Sequence, residues 1–222
     1  MPATLYGLNV SPFVRKVRAY MAEKGLAYDL EIINPFEPPA DYRDISPLGK
    51  IPAYKDGDKI LADSSIICIY LERTHPTPAL YPSDDYGYAR ALWFEEYMDS
   101  GFVPKAGGNV FFPLVIGPKM MNQPVTAEIQ ASVDKCLAEE VQPMWQYLDK
   151  ELGSNDYFVG KQLSIADLAV TSVHANLYHA GIDVDAGRYP NLAGFLQRMF
   201  ARPSFKALID EESETWSIRA AA

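Results

Sequence analysis

The 222-residue chain contains no GxGxxG, no Walker A sequence, no GxSxG elbow and no HExxH. Their absence removes the common dinucleotide, nucleoside-triphosphate, serine-hydrolase and zinc-protease readings. Cysteine is scarce: Cys68 and Cys136 stand far apart without a CxxC, so no zinc knuckle, dithiol redox motif or secreted disulfide framework is expected. Only three histidines occur. His174 and His179 are five apart, about 140° around a helix, and so share no face for a metal. They read as ordinary surface or core histidines, and His75 falls in a proline-rich stretch. Basic residues are outnumbered 20 to 29, for a formal net charge of -9, which disfavours nucleic acid and anionic membrane as partners. No uninterrupted apolar run approaches the roughly 18 residues of a membrane span. The first residues, MPATLYGLNVSPF, lack the basic flank and apolar core of a signal peptide, so a cytoplasmic location is expected.

What is present divides in two. Thr4 to Leu8 is short and apolar; Ser11-Pro12 then opens a segment with Val14, Val17 and Met21 at helical spacing, closed by Lys24 and Gly25. Proline at a helix start and glycine past its end make a matched pair. Tyr28 to Ile33 alternates apolar and polar residues, giving a right-handed βαβ unit. After a loop over Asn34 to Pro47, Ile51 to Lys55 and Lys59 to Ala62 flank Asp56-Gly57-Asp58, a hairpin turn signal. A helix follows from Ser64 or Ser65 to a stop before Pro76. Residues 74–86 hold three prolines and no apolar period, so a linker is expected near 78–85, dividing a domain over 1–79 from one over 86–222.

The second part reads as helix throughout. Tyr88 to Phe102 is amphipathic, and Val125 to Leu152 carries apolar residues three or four apart, with Pro143 as the expected kink. Further helices are expected from Ser164 and over Asn191 to Phe200, the latter ended by Arg202-Pro203. The acidity belongs here: residues 79–222 carry 11 Lys plus Arg against 19 Asp plus Glu, whereas residues 1–78 carry 9 against 10. Beyond Ala220 to Ala222 no low-complexity tract is visible.

Three segments carry candidate chemistry. Ser11-Pro12-Phe13 starts a helix after a strand, where unpaired N–H groups and the helix dipole favour an anion; Ser11 reads equally as the N-cap. Gly49-Lys50-Ile51-Pro52 enters a strand through a proline, trans by ordinary frequency. Asp63-Ser64-Ser65 begins another helix, again compatible with a cap alone. Such ends converge on one edge of a small α/β sheet. Ser164-Ile165-Ala166-Asp167 is a capping box with Leu163 and Leu168 placed as a staple, so Asp167 reads as structural and not as a general base.

The motifs SPFVRKV, SPLGKIPAY and LADSSIICIYLE, followed by SIADLAV in a helical part, resemble the cytosolic glutathione S-transferases, in a serine-type, bacterial-like form. The resemblance implies a thioredoxin-like βαβ-ββα domain joined to an all-α domain, a homodimer active in detoxification, and glutathione as co-substrate with no bound cofactor or metal. It implies a cis bond before Pro52, Ser11 as the catalytic hydroxyl, and Asn9, Phe13, Lys50, Ile51, Pro52, Asp63 and Ser64 as glutathione-binding residues. In that scheme Lys50 meets the glycyl carboxylate, Ile51 offers its backbone to the cysteinyl part, and Asp63 and Ser64 hold the γ-glutamyl end. Arg15 and Lys16 are expected on solvated helix faces. A small hydrophobic electrophile is expected between the domains, lined by Val10, Phe102, Phe111, Phe112 and Val115. The thiol of glutathione, near pKa 8.5, is only a few per cent ionised at pH 7, so stabilising the thiolate is the main task. A thiol reductase of this fold carries Cys where Ser11 stands, and the isomerase branch an SSCxWR-like segment; the chain reads NVSPFVRK. A non-catalytic interaction module is the remaining alternative.

Overall fold

The computed structural model describes residues 3–219, so the Ala220 to Ala222 tract lies outside the described residues. The chain separates into two compact units divided between Tyr81 and Pro82. In the first, strands β1 (Ala3–Tyr6), β2 (Tyr28–Glu31), β3 (Ala53–Asp56) and β4 (Lys59–Ala62) form one sheet in the order β2-β1-β3-β4. β1 and β2 are parallel, and β3 is antiparallel to both β1 and β4. With helices α1 (Pro12–Glu23) and α3 (Ser64–Thr74) this is the expected thioredoxin-like βαβ-ββα order. A four-residue helix, α2 (Tyr42–Ile45), lies in what the sequence reads as plain loop.

α1 starts and stops by local chemistry. Ser11, extended at φ -65 and ψ 127, is its N-cap, and Pro12 takes the first helical position, where its missing N–H costs nothing. At the other end Gly25 adopts φ +65; its N–H donates to Ala22 O at 3.1 Å and that of Leu26 to Met21 O at 2.9 Å, a Schellman closure that needs the left-handed residue. Gly7 serves a different end: a Cβ there would stand 2.4 Å from Val14 Cγ2, so only glycine lets the chain leaving β1 pass this close to α1.

The second unit is helical: α4 (Asp85–Glu96), α5 (Gly117–Met121), α6 (Ala127–Cys136), α7 (Gln142–Leu152), α8 (Ile165–His179), α9 (Pro190–Ala201) and α10 (Pro203–Trp216). Between α4 and α5, residues Tyr97–Ile116 continue as helix with widened, π-type turns around Pro104 and Pro113, ending with Gly117 N–H on Phe112 O. A second wide turn over Leu137–Val141 precedes Pro143, which is how the chain absorbs the expected kink. α10 is an addition to the sequence reading: Arg202 both ends α9 and begins α10, with Pro203 as the first residue of the new helix.

α8 is buried from Ile165 to Leu177, its polar residues included. Its first turn is held by Asp167, whose carboxylate accepts from Phe158 N–H and Ser164 N–H, each at 2.8 Å, and from Ser164 Oγ at 3.0 Å. Leu163 and Leu168 are both buried around it. Burial outweighs these bonds and pushes the Asp167 carboxyl up to about 7. One turn before the helix ends, His174 Nδ1 faces Val170 O at 2.7 Å, while Trp145 Nε1 donates to His174 Nε2 at 3.0 Å. Burial lowers its pKa to about 4, so the ring is neutral at pH 7, with its proton on Nδ1.

These two groups tilt stability in opposite directions. Asp167 is raised above its ordinary value, so its contribution is complete below about pH 4 and is lost as pH rises through 7. His174 is lowered, so its contribution is complete above about pH 6.5 and is lost as pH falls through 4. Asp167→Asn should therefore cost less stability at each step from pH 4.5 to 7, and His174→Gln more at each step from pH 4.5 to 6.5, in urea melts on the intact chain. A cost for Asp167→Asn that is flat or grows with pH contradicts the assignment.

Candidate functional site

The strand pairing decides where the candidate groups lie. Tyr6 at the end of β1 pairs with Ala53 at the start of β3, and Ala53 pairs with Ala62 at the end of β4. The chain leaving β1 toward Ser11, the Ile51-Pro52 entry to β3 and the Asp63-Ser64 exit from β4 thus reach the same end of the sheet. A small apolar cluster of Tyr6, Ile33, Tyr42 and Ala53, joined by Ile45, Ile51 and Ala62, packs beneath them.

Ser11 is half-buried, and its Oγ accepts from Val14 N–H at 3.5 Å. That is long for a cap, which ordinarily lies within about 3.2 Å. The hydroxyl is thus weakly committed to the helix and stands where the N–H groups of the first turn converge. Asn9, also half-buried, turns its Oδ1 onto Val10 N–H at 3.0 Å, and Val10 is buried. Phe13 is partly exposed at the first turn of α1.

The Ile51–Pro52 peptide bond is cis, as the resemblance implied. Pro52 is buried, and Ile51 stands two residues outside the β1–β3 ladder, so its backbone groups are not used by the sheet. The residue before it is held by contacts that motif reading did not identify. Tyr42 Oη at 3.0 Å and Ser46 Oγ at 2.7 Å both donate to the Lys50 carbonyl. Burial pushes Tyr42 up to about 12, so it remains a donor at any physiological pH. The Lys50 side chain itself is exposed. Pro39 and Pro47 bracketing Tyr42 and Ser46 are the sequence signal for this ordered loop.

Asp63 has φ 80 and ψ 129, a region costly for a residue with a Cβ. Its Oδ1 caps α3, accepting from Ser65 N–H at 2.9 Å and Ile66 N–H at 3.3 Å. Both are exposed bonds made to the same oxygen. Ser64 is buried in the first turn, and its hydroxyl makes no hydrogen bond to another described residue.

The sequence expectation for Arg15 and Lys16 is corrected. Both are buried: an Arg15 guanidinium nitrogen donates to Val10 O at 3.2 Å and Lys16 Nζ to Ser65 Oγ at 3.2 Å. Cations are buried only with partners, and these two hold the segments that lead into α1 and α3.

The aromatic candidates of the second unit are mostly interior. Phe102, Phe111 and Val115 are buried, and the Phe102 ring lies 4.9 Å from that of His174. Phe112 keeps some exposed surface and lines a cavity of about 190 Å³ with Pro113, Ile129 and Val133. Among the described residues no group of three or more His, Cys, Asp or Glu is arranged to hold a metal. No described helix is long and apolar enough to cross a membrane.

Known proteins share this arrangement. Family models of the glutathione S-transferase N-terminal and C-terminal domains match residues 5–79 and 104–203. Glutathione S-transferase theta-3 of Mus musculus is 30% identical over 209 residues, 90% of this chain and 83% of its own. The stringent starvation protein A homolog of Pasteurella multocida is 22% identical over 91% of this chain and 87% of its own. Among solved structures, a glutathione S-transferase from Methylobacterium radiotolerans in complex with glutathione sulfonate aligns with TM-score 0.74 and 25% identity, covering 100% of this chain and 98% of that one. With both domain models matched in order and near full-length similarity to a curated transferase, the chain belongs to the glutathione S-transferase family.

Proposed function

We propose that the protein is a serine-type glutathione transferase that stabilises the thiolate of glutathione for attack on a hydrophobic electrophile. One observation carries the reading: a single strand register brings a loosely capped helix-start hydroxyl, a backbone step outside the ladder and a carboxylate on a strained backbone to one sheet end. The solved relative complexed with glutathione sulfonate supports glutathione as the ligand.

In this mechanism the tripeptide lies across that end. Ile51 pairs with its cysteinyl backbone as a short added strand. The Lys50 ammonium meets the glycyl carboxylate. The Asp63 carboxylate takes the γ-glutamyl ammonium while Ser64 and the α3 N-terminus take its carboxylate. Ser11 donates its hydroxyl proton to the sulfur, and the start of α1 adds its partial positive charge. Serine neither attacks nor loses its proton; the sulfur of glutathione forms the new bond and the electrophile's leaving group departs. Asn9 and Phe13 border this position. Of the helical candidates for the electrophile, Phe112 is the one with surface to offer, whereas Phe102, Phe111 and Val115 are buried.

Ser11→Ala should leave the dissociation constant for glutathione largely unchanged, because the charged ends of the tripeptide are held elsewhere. Turnover should fall about ten- to a hundredfold at neutral pH, the worth of one charge-assisted hydrogen bond of about 1.5 to 3 kcal/mol. The bound thiol should titrate nearer about 8.5, so raising the pH partly restores the variant. Full activity with an unaltered pH profile would reduce Ser11 to a cap and move attention to Asn9. Ser11→Cys should lose conjugation and, given glutathione disulfide, attack one of its sulfurs to form a mixed disulfide while the other glutathione leaves as thiolate, since a thiol at a helix N-terminus has a depressed pKa; mass spectrometry reads that adduct directly. The proposed assembly is a two-fold homodimer engaging Ser65 to Arg73 of one copy with Arg90 to Asp99 of the other. Light scattering at micromolar concentration should give twice the chain mass, and a stable monomer rejects it.

A further inference from the structure

α1 and α3 touch through a polar seam that the proposed chemistry does not use. Lys16, Tyr20 and Lys24 stand at i, i+4 and i+8 on one face of α1 and its C-cap. They meet Ser65 and Glu72, seven apart on α3. Lys16 Nζ donates to Ser65 Oγ at 3.2 Å, Tyr20 Oη donates to Glu72 Oε2, and Lys24 Nζ pairs with Glu72 Oε2 at 2.7 Å. The contacts advance along both helices together, so the helices run side by side in the same sense.

The last rung is closed completely. The Lys24 side chain is fully buried, and besides Glu72 its ammonium donates to His75 O at 2.7 Å and Pro78 O at 2.6 Å. All three N–H donors are therefore used. Glu72 in turn accepts from Leu80 N–H at 3.2 Å. One ion pair, its lysine fully buried and its glutamate partly so, thus binds the end of α1, the end of α3 and the connector that leaves the first unit.

Each helix carries a candidate site group at its other end: Ser11 caps α1, and Asp63 and Ser64 open α3. We propose that Lys24, acting through Glu72, is a positioning residue that fixes the axial register of α1 against α3, and with it the spacing between Ser11 and the Asp63-Ser64 turn. A buried ion pair is a poor source of net stability but a well-suited register pin, because sliding either helix by one step leaves a charge unpaired in the interior. Lys24 stands about 20 Å from Ser11 by the rise of α1, so it acts at the site only through the helices. The assignment of register stands on the contacts; its consequence for ligand rests on the glutathione reading above.

Lys24→Met keeps the length and apolar stem of the side chain and removes the charge. Amide hydrogen exchange on the intact chain, without ligand, reads the register directly. The N–H groups of Ser65, Ile66 and Ile67 at the far end of α3 should exchange at least about tenfold faster, together with Leu80 in the connector, while the sheet amides of Leu5 and Tyr54 hold their rates. Faster exchange confined to the connector and the last turn of α3 overturns the proposal, since Lys24 would then hold only the connector. So does a uniform increase that includes the sheet, which marks a purely stabilising role. If Lys24→Met does not fold, Lys24→Arg, which keeps the charge but displaces its donors, is judged by the same pattern. A second arm uses glutathione itself: Lys24→Met should weaken binding about tenfold, and Ser64→Ala should add less on top of it than alone, a coupling that independent sites this far apart do not show. Strict additivity contradicts the proposal. A wild-type chain that binds no glutathione overturns the functional reading instead and leaves the exchange pattern to decide the register.

Discussion

The pairing of Tyr6 with Ala53 and of Ala53 with Ala62 is the constraint on which the rest of the first unit depends. Side chains alternate faces along a strand, so a slip of one residue would turn Tyr6 and Ala53 away from their apolar cluster. The same slip would displace Ile51, Pro52 and Asp63 relative to Ser11. Register is therefore paid for by burial of hydrocarbon and used by polar groups that contribute little to it. The loop before β3 adds a second restraint, since Tyr42 and Ser46 hold the Lys50 carbonyl and with it the direction in which the chain enters the strand.

Much of this was legible because the chain punctuates its elements with residues whose backbone chemistry is specific. Pro12 and Gly25 bracket α1, and Gly57 at φ +59 turns the β3–β4 hairpin. Where punctuation was ambiguous, reading failed. Arg202-Pro203 marks a stop, yet a proline is also a good first helical residue, and the chain uses it both ways to begin α10. α2, at four residues, is too short to display a period. The candidate site was visible as three helix or strand starts, joined by a family resemblance. Its supports were not: Gly7 is explained only by a methyl of Val14, and the burial of Arg15 and Lys16 only by acceptors supplied at Val10 and Ser65. Such contacts join different elements, and no single element's periodicity displays them.

The helical unit shows a different use of buried polarity. Asp167 and His174 lie two turns apart on α8, each fully desolvated and each satisfied by specific partners. One is driven toward its neutral form by burial despite three donors; the other is kept neutral by the same cause. Satisfied partners and suppressed ionisation together allow a helix with polar residues in the middle of its length to be buried there.

Asp63 sets backbone strain against its proposed role in binding glutathione. Its backbone occupies a conformation that glycine adopts freely and aspartate does not, at a cost on the order of 1 to 3 kcal/mol. Any selection for thermal tolerance alone will drift toward glycine at this position and discard the carboxylate. Libraries built on this scaffold should hold position 63 fixed, and a stabilised variant that has lost the aspartate should be checked for loss of the proposed glutathione contact.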